Sequence, residues 1–107
     1  MLKENEKRNF LRVSVNWQAE TEAAQGIITL DIINISIGGL MFKTEESIAL
    51  NTELTFSLPI GDLAAKVEWQ KEDIYGASFI NLSGPETAAL VKEVYDRWRN
   101  KEIEPIR

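Results

Sequence analysis

Two short stretches of this 107-residue chain carry side chains whose types and spacing could do chemistry. The first is Arg8-Asn9-Phe10-Leu11-Arg12, which sets two guanidinium groups four residues apart, with Lys7 just before them. The second is Asn34-Ile35-Ser36-Ile37-Gly38-Gly39. Asn34 and Ser36 lie two apart, so on extended backbone an amide and a hydroxyl point to the same face. Gly38 and Gly39 carry no Cβ, which permits positive φ and lets a ligand approach the backbone amides closely. Each stretch also has a plain structural reading. The arginines can be solvated or paired with acidic strands, and Asn, Ser and Gly are the usual residues of a tight turn.

Composition removes whole classes of function. Cysteine is absent, so no disulfide frame, thiolate nucleophile or cysteine-bound metal is available. Histidine is absent as well, and with it the commonest general base and metal ligand. The acidic pair Glu45-Glu46 sits in a polar connection, where neighbouring carboxylates are solvated rather than catalytic. No nucleophile–base pair, metal set or phosphate-loop motif can be assembled, so the expectation is a protein that is not an enzyme, without catalytic residues, metal or cofactor.

Charge points towards the kind of partner. The net charge of −5 argues against a nucleic-acid polymer. It is unevenly placed: residues 1–12 hold four bases and two acids, residues 13–96 four bases and thirteen acids, and residues 97–107 four bases and two acids. A basic arm on an acidic body suits a small anionic ligand better than a long one. The polar start, Met1 to Lys7, lacks the apolar core of a signal peptide. No segment approaches the roughly 18 apolar residues of a membrane span. A cytoplasmic protein without membrane insertion is expected.

The elements that must position these residues follow from periodicity. Residues 1–12 read as a flexible arm. From Val13, the alternation of Val13, Val15, Trp17 and Ala19 with polar residues predicts a half-buried strand, and 20–26 reads as a polar connection. The apolar run 27–33 predicts a second strand, Leu40 to Lys43 a third, and Leu54, Phe56 and Leu58 a fourth closed by Pro59-Ile60-Gly61. Ala65, Val67 and Trp69 share one face of a fifth strand, which directs the Trp69 indole towards the core; a sixth follows at Tyr75, Ala77 and Phe79. After Asn81 the period changes to about 3.6. Ser83 and Glu86 have capping-box spacing, and Leu90, Val91, Val94, Tyr95 and Trp98 form the apolar stripe of a helix. The prediction is one all-β domain with a C-terminal helix: an arm over 1–12, a β-barrel or sandwich over 13–82, a helix over 83–100 and a polar tail over 101–107.

Arg8-x-x-x-Arg12 followed by Asn34-x-Ser36-x-x-Gly39 resembles the signature of the PilZ-domain family, bacterial receptors for the second messenger cyclic di-GMP. Ala65-Lys66-Val67-Glu68-Trp69 and Tyr75 to Ser83 are similar to the family's fifth strand and last strand. The resemblance spans about residues 7–98 and implies a six-stranded antiparallel β-barrel with ligand on its outer face under the arginine arm. It assigns Arg8 and Arg12 to phosphate and guanine edges, which a guanidinium fork matches bidentately. Asn34 and Ser36 would bond the other side of the ligand, and Gly39 would allow close backbone approach. Lys7, Gly38 and Trp69 are further ligand candidates, Trp69 through stacking on a guanine. Trp17 and Trp98 read as structural, and Phe10 and Leu11 as anchors of the arm. At this length the expected output is an effect in trans on a protein partner, with the arm ordering as ligand binds. A PilZ-like adaptor working by protein contact alone, and a single-strand nucleic-acid binder on another barrel, are the competing classes. The acidic body disfavours the latter.

Overall fold

Two-residue turns set much of the strand pairing in the computed structural model, which describes residues 11–100. The strands are β1 (Val13–Ala23), β2 (Gly26–Ile35), β3 (Gly39–Lys43), β4 (Glu53–Leu58), β5 (Gly61–Lys71) and β6 (Ile74–Phe79), followed by the helix α1 (Gly84–Arg99). Ala24-Gln25 joins β1 to β2, Pro59-Ile60 joins β4 to β5, and Glu72-Asp73 joins β5 to β6. Gly26 and Gly61 leave two of these turns at φ +115° and +131°, a conformation that disfavours any side chain. All pairings are antiparallel, and the order β1-β2-β3-β6-β5-β4 closes on itself as a barrel. Closure removes the sheet edges that would otherwise present unpaired backbone groups.

The expected polar connection over 20–26 is shorter than the sequence suggests. β1 continues to Ala23 because Thr21 faces inward, 3% exposed, and donates its hydroxyl to the Thr55 carbonyl at 2.7 Å. A polar residue on the inner face hid the alternation. β5 likewise begins at Gly61, ahead of the expected Ala65, with Leu63 already buried.

Inward residues from every strand form one core. At its centre Phe42 stacks on Tyr75, with ring centroids 5.1 Å apart, and meets Phe56 at 5.2 Å with tilted rings. The buried Tyr75 hydroxyl donates to the Glu46 carbonyl at 3.0 Å and accepts from the Ile48 amide at 3.2 Å, which pins the β3–β4 connection to the core. Leu11, within the predicted arm, packs half-buried against the same core, as expected of an anchor.

The capping box forms as predicted. Ser83 Oγ accepts from the Glu86 amide at 3.1 Å, and the Ser83 amide donates to Glu86 Oε1 at 2.9 Å. The stripe is narrower than predicted, however. Leu90 and Val94, one i,i+4 pair, are fully buried, whereas Tyr95 and Trp98 stay 42% and 43% exposed and meet edge to face at 6.0 Å. One such pair seats the helix, so Trp98 lies at the surface. Trp17 does have the structural role expected of it: half-buried, it lies 5.4 Å from the Arg97 guanidinium, which also pairs with Glu93 at 2.7 Å and donates to the Ser14 carbonyl at 3.4 Å. On the outer face of α1, hydrogen bonding from Lys92 holds the Asp96 carboxyl below its ordinary range.

Candidate functional site: an open cavity beside the β2–β3 loop

Three irregularities of strand register build the site. Ile28, Leu30 and Ile32 face the core, so an unbroken β2 would turn Asn34 inward too. Instead Ile32 lies opposite Phe42 and Asn34 opposite Met41, two steps on β2 against one on β3. This bulge sends Asn34 to the outer wall and Ile35, 0% exposed, to the core. A second irregularity on β1 separates Ser14, opposite Asn34, from Trp17, opposite Ile32. The third, on β5, sets Val67 opposite Ala77 but Trp69 opposite Gly76.

That third bulge overturns the expected core role of Trp69. Its indole is 43% exposed and lies over Gly76, where an added Cβ would collide with Nε1 and Cε2. The alternation with Val67 misleads because one extra residue flips the face of everything beyond it.

Between these bulges lies an open cavity of about 560 Å³. Arg12 lines it from the start of β1, Asn34 and Met41 from β2 and β3, Ser36, Gly38 and Gly39 from the loop, and Trp69 with Gly76 from β5 and β6. The Arg12 guanidinium is exposed and donates from Nη1 to the Met41 sulfur at 3.2 Å. Asn34 is 1% exposed, and its Nδ2 donates to the same sulfur at 3.3 Å. Among the described residues no buried side-chain polar atom is left without a partner, so the cost of burying this amide is met.

Ser36 has a local role beside any role towards a ligand. Its Oγ accepts from the Gly38 amide at 3.1 Å and the Gly39 amide at 3.2 Å, and its own amide donates to the Gly39 carbonyl at 2.8 Å. The Gly38 carbonyl then accepts from the Phe79 amide at 3.0 Å, tying the loop to β6. The loop is thus held in one shape by its own hydroxyl. Gly39 has a packing requirement too: a Cβ there would run into the Ala77 carbonyl oxygen of β6. The sequence reading gives Gly39 to ligand approach; its close neighbour in this structure is the barrel's own backbone.

Arg8 and Lys7 lie outside the described residues, as do Phe10 and the rest of the predicted arm before Leu11 and the tail over 101–107. Six lining residues were missed by the sequence reading: Leu40, Met41, Glu68, Gly76, Ala77 and Ser78. Gly76 had a legible signal, a large aromatic paired across the sheet with glycine. Met41 and Glu68 had none, because their relevance depends on which way each bulge turns the strand. The described residues hold no group of three or more carboxylates placed to bind a metal ion. None of the described helices is long and apolar enough to cross a membrane.

A closed six-stranded antiparallel barrel thus carries an outward cavity at the β2–β3 loop and a trailing helix. Residues 6–96 match the family model of the PilZ domain, so the chain belongs to the PilZ family. The fold agrees with solved structures of the same kind. The PilZ domain of YcgR from Escherichia coli, solved with c-di-GMP, superposes with a TM-score of 0.73 at 13% identity, over 89% of this chain and 94% of that one. The Bacillus subtilis inhibitor of motility, MotI/DgrA, gives 0.73 at 16% identity over 89% of this chain, and this chain spans about half of its length, 52%. The PilZ domain of CeSA from a cellulose-synthesizing bacterium gives 0.63 at 15% identity, over 79% and 95% of the two chains. At these identities the likeness is one of fold. No curated protein sequence matches the chain.

Proposed function

We propose that this domain binds cyclic di-GMP in the cavity beside the β2–β3 loop and passes the signal to a protein partner. The observation that carries the proposal is convergence. Arg12, Asn34, Ser36, Gly38, Gly39 and Trp69 come from three separate stretches of the chain and line one cavity. Three of them supply side-chain contacts that the ligand can use. A guanidinium forks onto phosphate oxygens or the O6/N7 edge of guanine. The buried amide of Asn34 offers both donor and acceptor. The Trp69 indole offers a face on which a base can stack. Arg8 and Lys7 enter on the sequence signature and extend the same basic arm.

Isothermal calorimetry with cyclic di-GMP tests the reading and gives stoichiometry in the same titration. Arg8→Ala and Arg12→Ala should each remove charge-assisted hydrogen bonds worth about 1.5–3 kcal/mol and so weaken binding about tenfold or more. Arg12 is exposed, so Arg12→Ala should leave thermal stability without ligand nearly unchanged. Wild-type affinity in both variants would overturn the assignment. No heat with the unaltered chain would favour an adaptor that works by protein contact alone.

A further inference from the structure

Met41 occupies a position that the signature does not explain. Its sulfur receives Arg12 Nη1 at 3.2 Å and Asn34 Nδ2 at 3.3 Å, so one thioether holds two of the donors assigned to the ligand. A thioether is a weak acceptor. It orients both groups at little cost, and ligand oxygens can displace it readily. The chain has two methionines, Met1 and Met41, and no cysteine, so Met41 is its single sulfur away from the terminus. It is half-buried and lines the open cavity, within reach of a small oxidant.

We infer that Met41 is a positioning residue and an oxidation site: its thioether parks Arg12 and Asn34 for ligand, and its conversion to sulfoxide by a peroxide shuts the site. In that step the sulfur lone pair attacks one peroxide oxygen and the O–O bond breaks. An S=O bond forms, sulfur loses two electrons, the peroxide gains them, and water departs. The sulfoxide oxygen is a polar acceptor directed at the same two donors. Arg12 and Asn34 then hold an internal oxygen in place of a ligand oxygen, and incoming nucleotide must break those bonds first. Methionine sulfoxide reductase reverses the change, so the cavity would respond to oxidant as well as to nucleotide. The inference rests on the nucleotide-receptor reading for its effect on affinity, but the sulfur contacts stand without it.

The test uses the whole chain treated with hydrogen peroxide, with one added oxygen confirmed by mass on the Met41 peptide. Cyclic di-GMP affinity should fall by about tenfold or more, as expected when two hydrogen bonds must be exchanged, and reductase should restore it. Met41→Leu should bind equally before and after peroxide, which separates the sulfur from Trp69. Met41→Gln, with a permanent amide acceptor, should bind weakly without any oxidant. In the ligand-free protein, the side-chain nitrogen resonances of Arg12 and Asn34 should shift on oxidation. Unchanged affinity of the fully oxidised chain, or unchanged resonances, overturns the inference, as does a peroxide-induced loss in Met41→Leu. Absence of binding to untreated protein instead overturns the receptor reading, and the resonances still decide whether the sulfur holds these donors.

Discussion

Strand β4 and the end of β2 begin from the same two-residue period and end with different tasks. In β4 the period never breaks. Leu54, Phe56 and Leu58 are buried, Glu53, Thr55 and Ser57 are exposed, and the register with β5 runs unbroken from Glu53 opposite Lys66 to Leu58 opposite Gly61. At the end of β2 the period slips by one between Ile32 and Asn34, and on β5 it slips again between Val67 and Trp69. The regular wall is all core on one side and solvent on the other. The bulged wall turns an amide and an indole outward and lines a cavity with them. On the proposed function, stability resides where the alternation is kept, and recognition resides where it is interrupted.

Damage to the two walls should therefore separate into loss of fold and loss of binding. The largest effect belongs to the regular wall. Phe56→Ala removes a 0% exposed ring that packs on Phe42 and should cost about 3–5 kcal/mol of stability, read as a lowered urea midpoint. The fraction that remains folded should bind cyclic di-GMP with unaltered affinity. A selective loss of affinity without loss of stability would blur the division.

Gly39→Ala tests the junction of the two. Its Cβ would meet the Ala77 carbonyl, so β3 and β6 must part, at about 1–3 kcal/mol. Weaker binding by this variant should therefore come with a lower melting temperature. Full stability with lost affinity would restore the simpler idea that Gly39 only makes room for ligand.

The comparison also explains what could be read from the sequence. The six strands, their turns, the capping box and most of the core were legible because each rests on local period or local turn chemistry. Thr21 was lost to a polar connection because it bonds the Thr55 carbonyl from the inner face, which no hydropathy pattern reveals. Trp98 falls on the apolar stripe by period yet lies 43% exposed, because period alone gives a helix face its direction but not its width. In the site, Arg12, Asn34, Ser36 and Gly39 were visible as a motif. The local work of Ser36 on the Gly38 and Gly39 amides was not visible, nor was the outward turn of Trp69. A bulge adds one residue without marking it, so every side chain beyond it is assigned to the wrong face.

Trp69→Ala examines the bulged wall alone. The indole is 43% exposed, so stability should change little, whereas loss of base stacking worth about 1–3 kcal/mol should weaken binding by roughly tenfold to a hundredfold. Unchanged affinity would mean that the bulge at Val67–Trp69 serves packing over Gly76 and nothing more.

The smallest effect separates local charge from net charge. Glu68 lines the cavity within the β5 bulge, a carboxylate beside the place assigned to a dianion. Glu53 is an exposed carboxylate on the unbroken wall, in register with Lys66. Neutralising either removes the same charge from a chain of net −5. Only Glu68→Gln removes it from the site. Exposed like-charge pairs are worth up to about 1 kcal/mol, so Glu68→Gln should tighten cyclic di-GMP binding by at most about fivefold, and Glu53→Gln should leave it unaltered. Screening contracts to roughly 3 Å at 1 M salt, so the Glu68 effect should fade as salt is raised. Equal tightening by both variants would show that the ligand senses only the acidic body as a whole. No tightening by either would place the phosphates away from the β5 bulge, towards Arg12 and the β2–β3 loop.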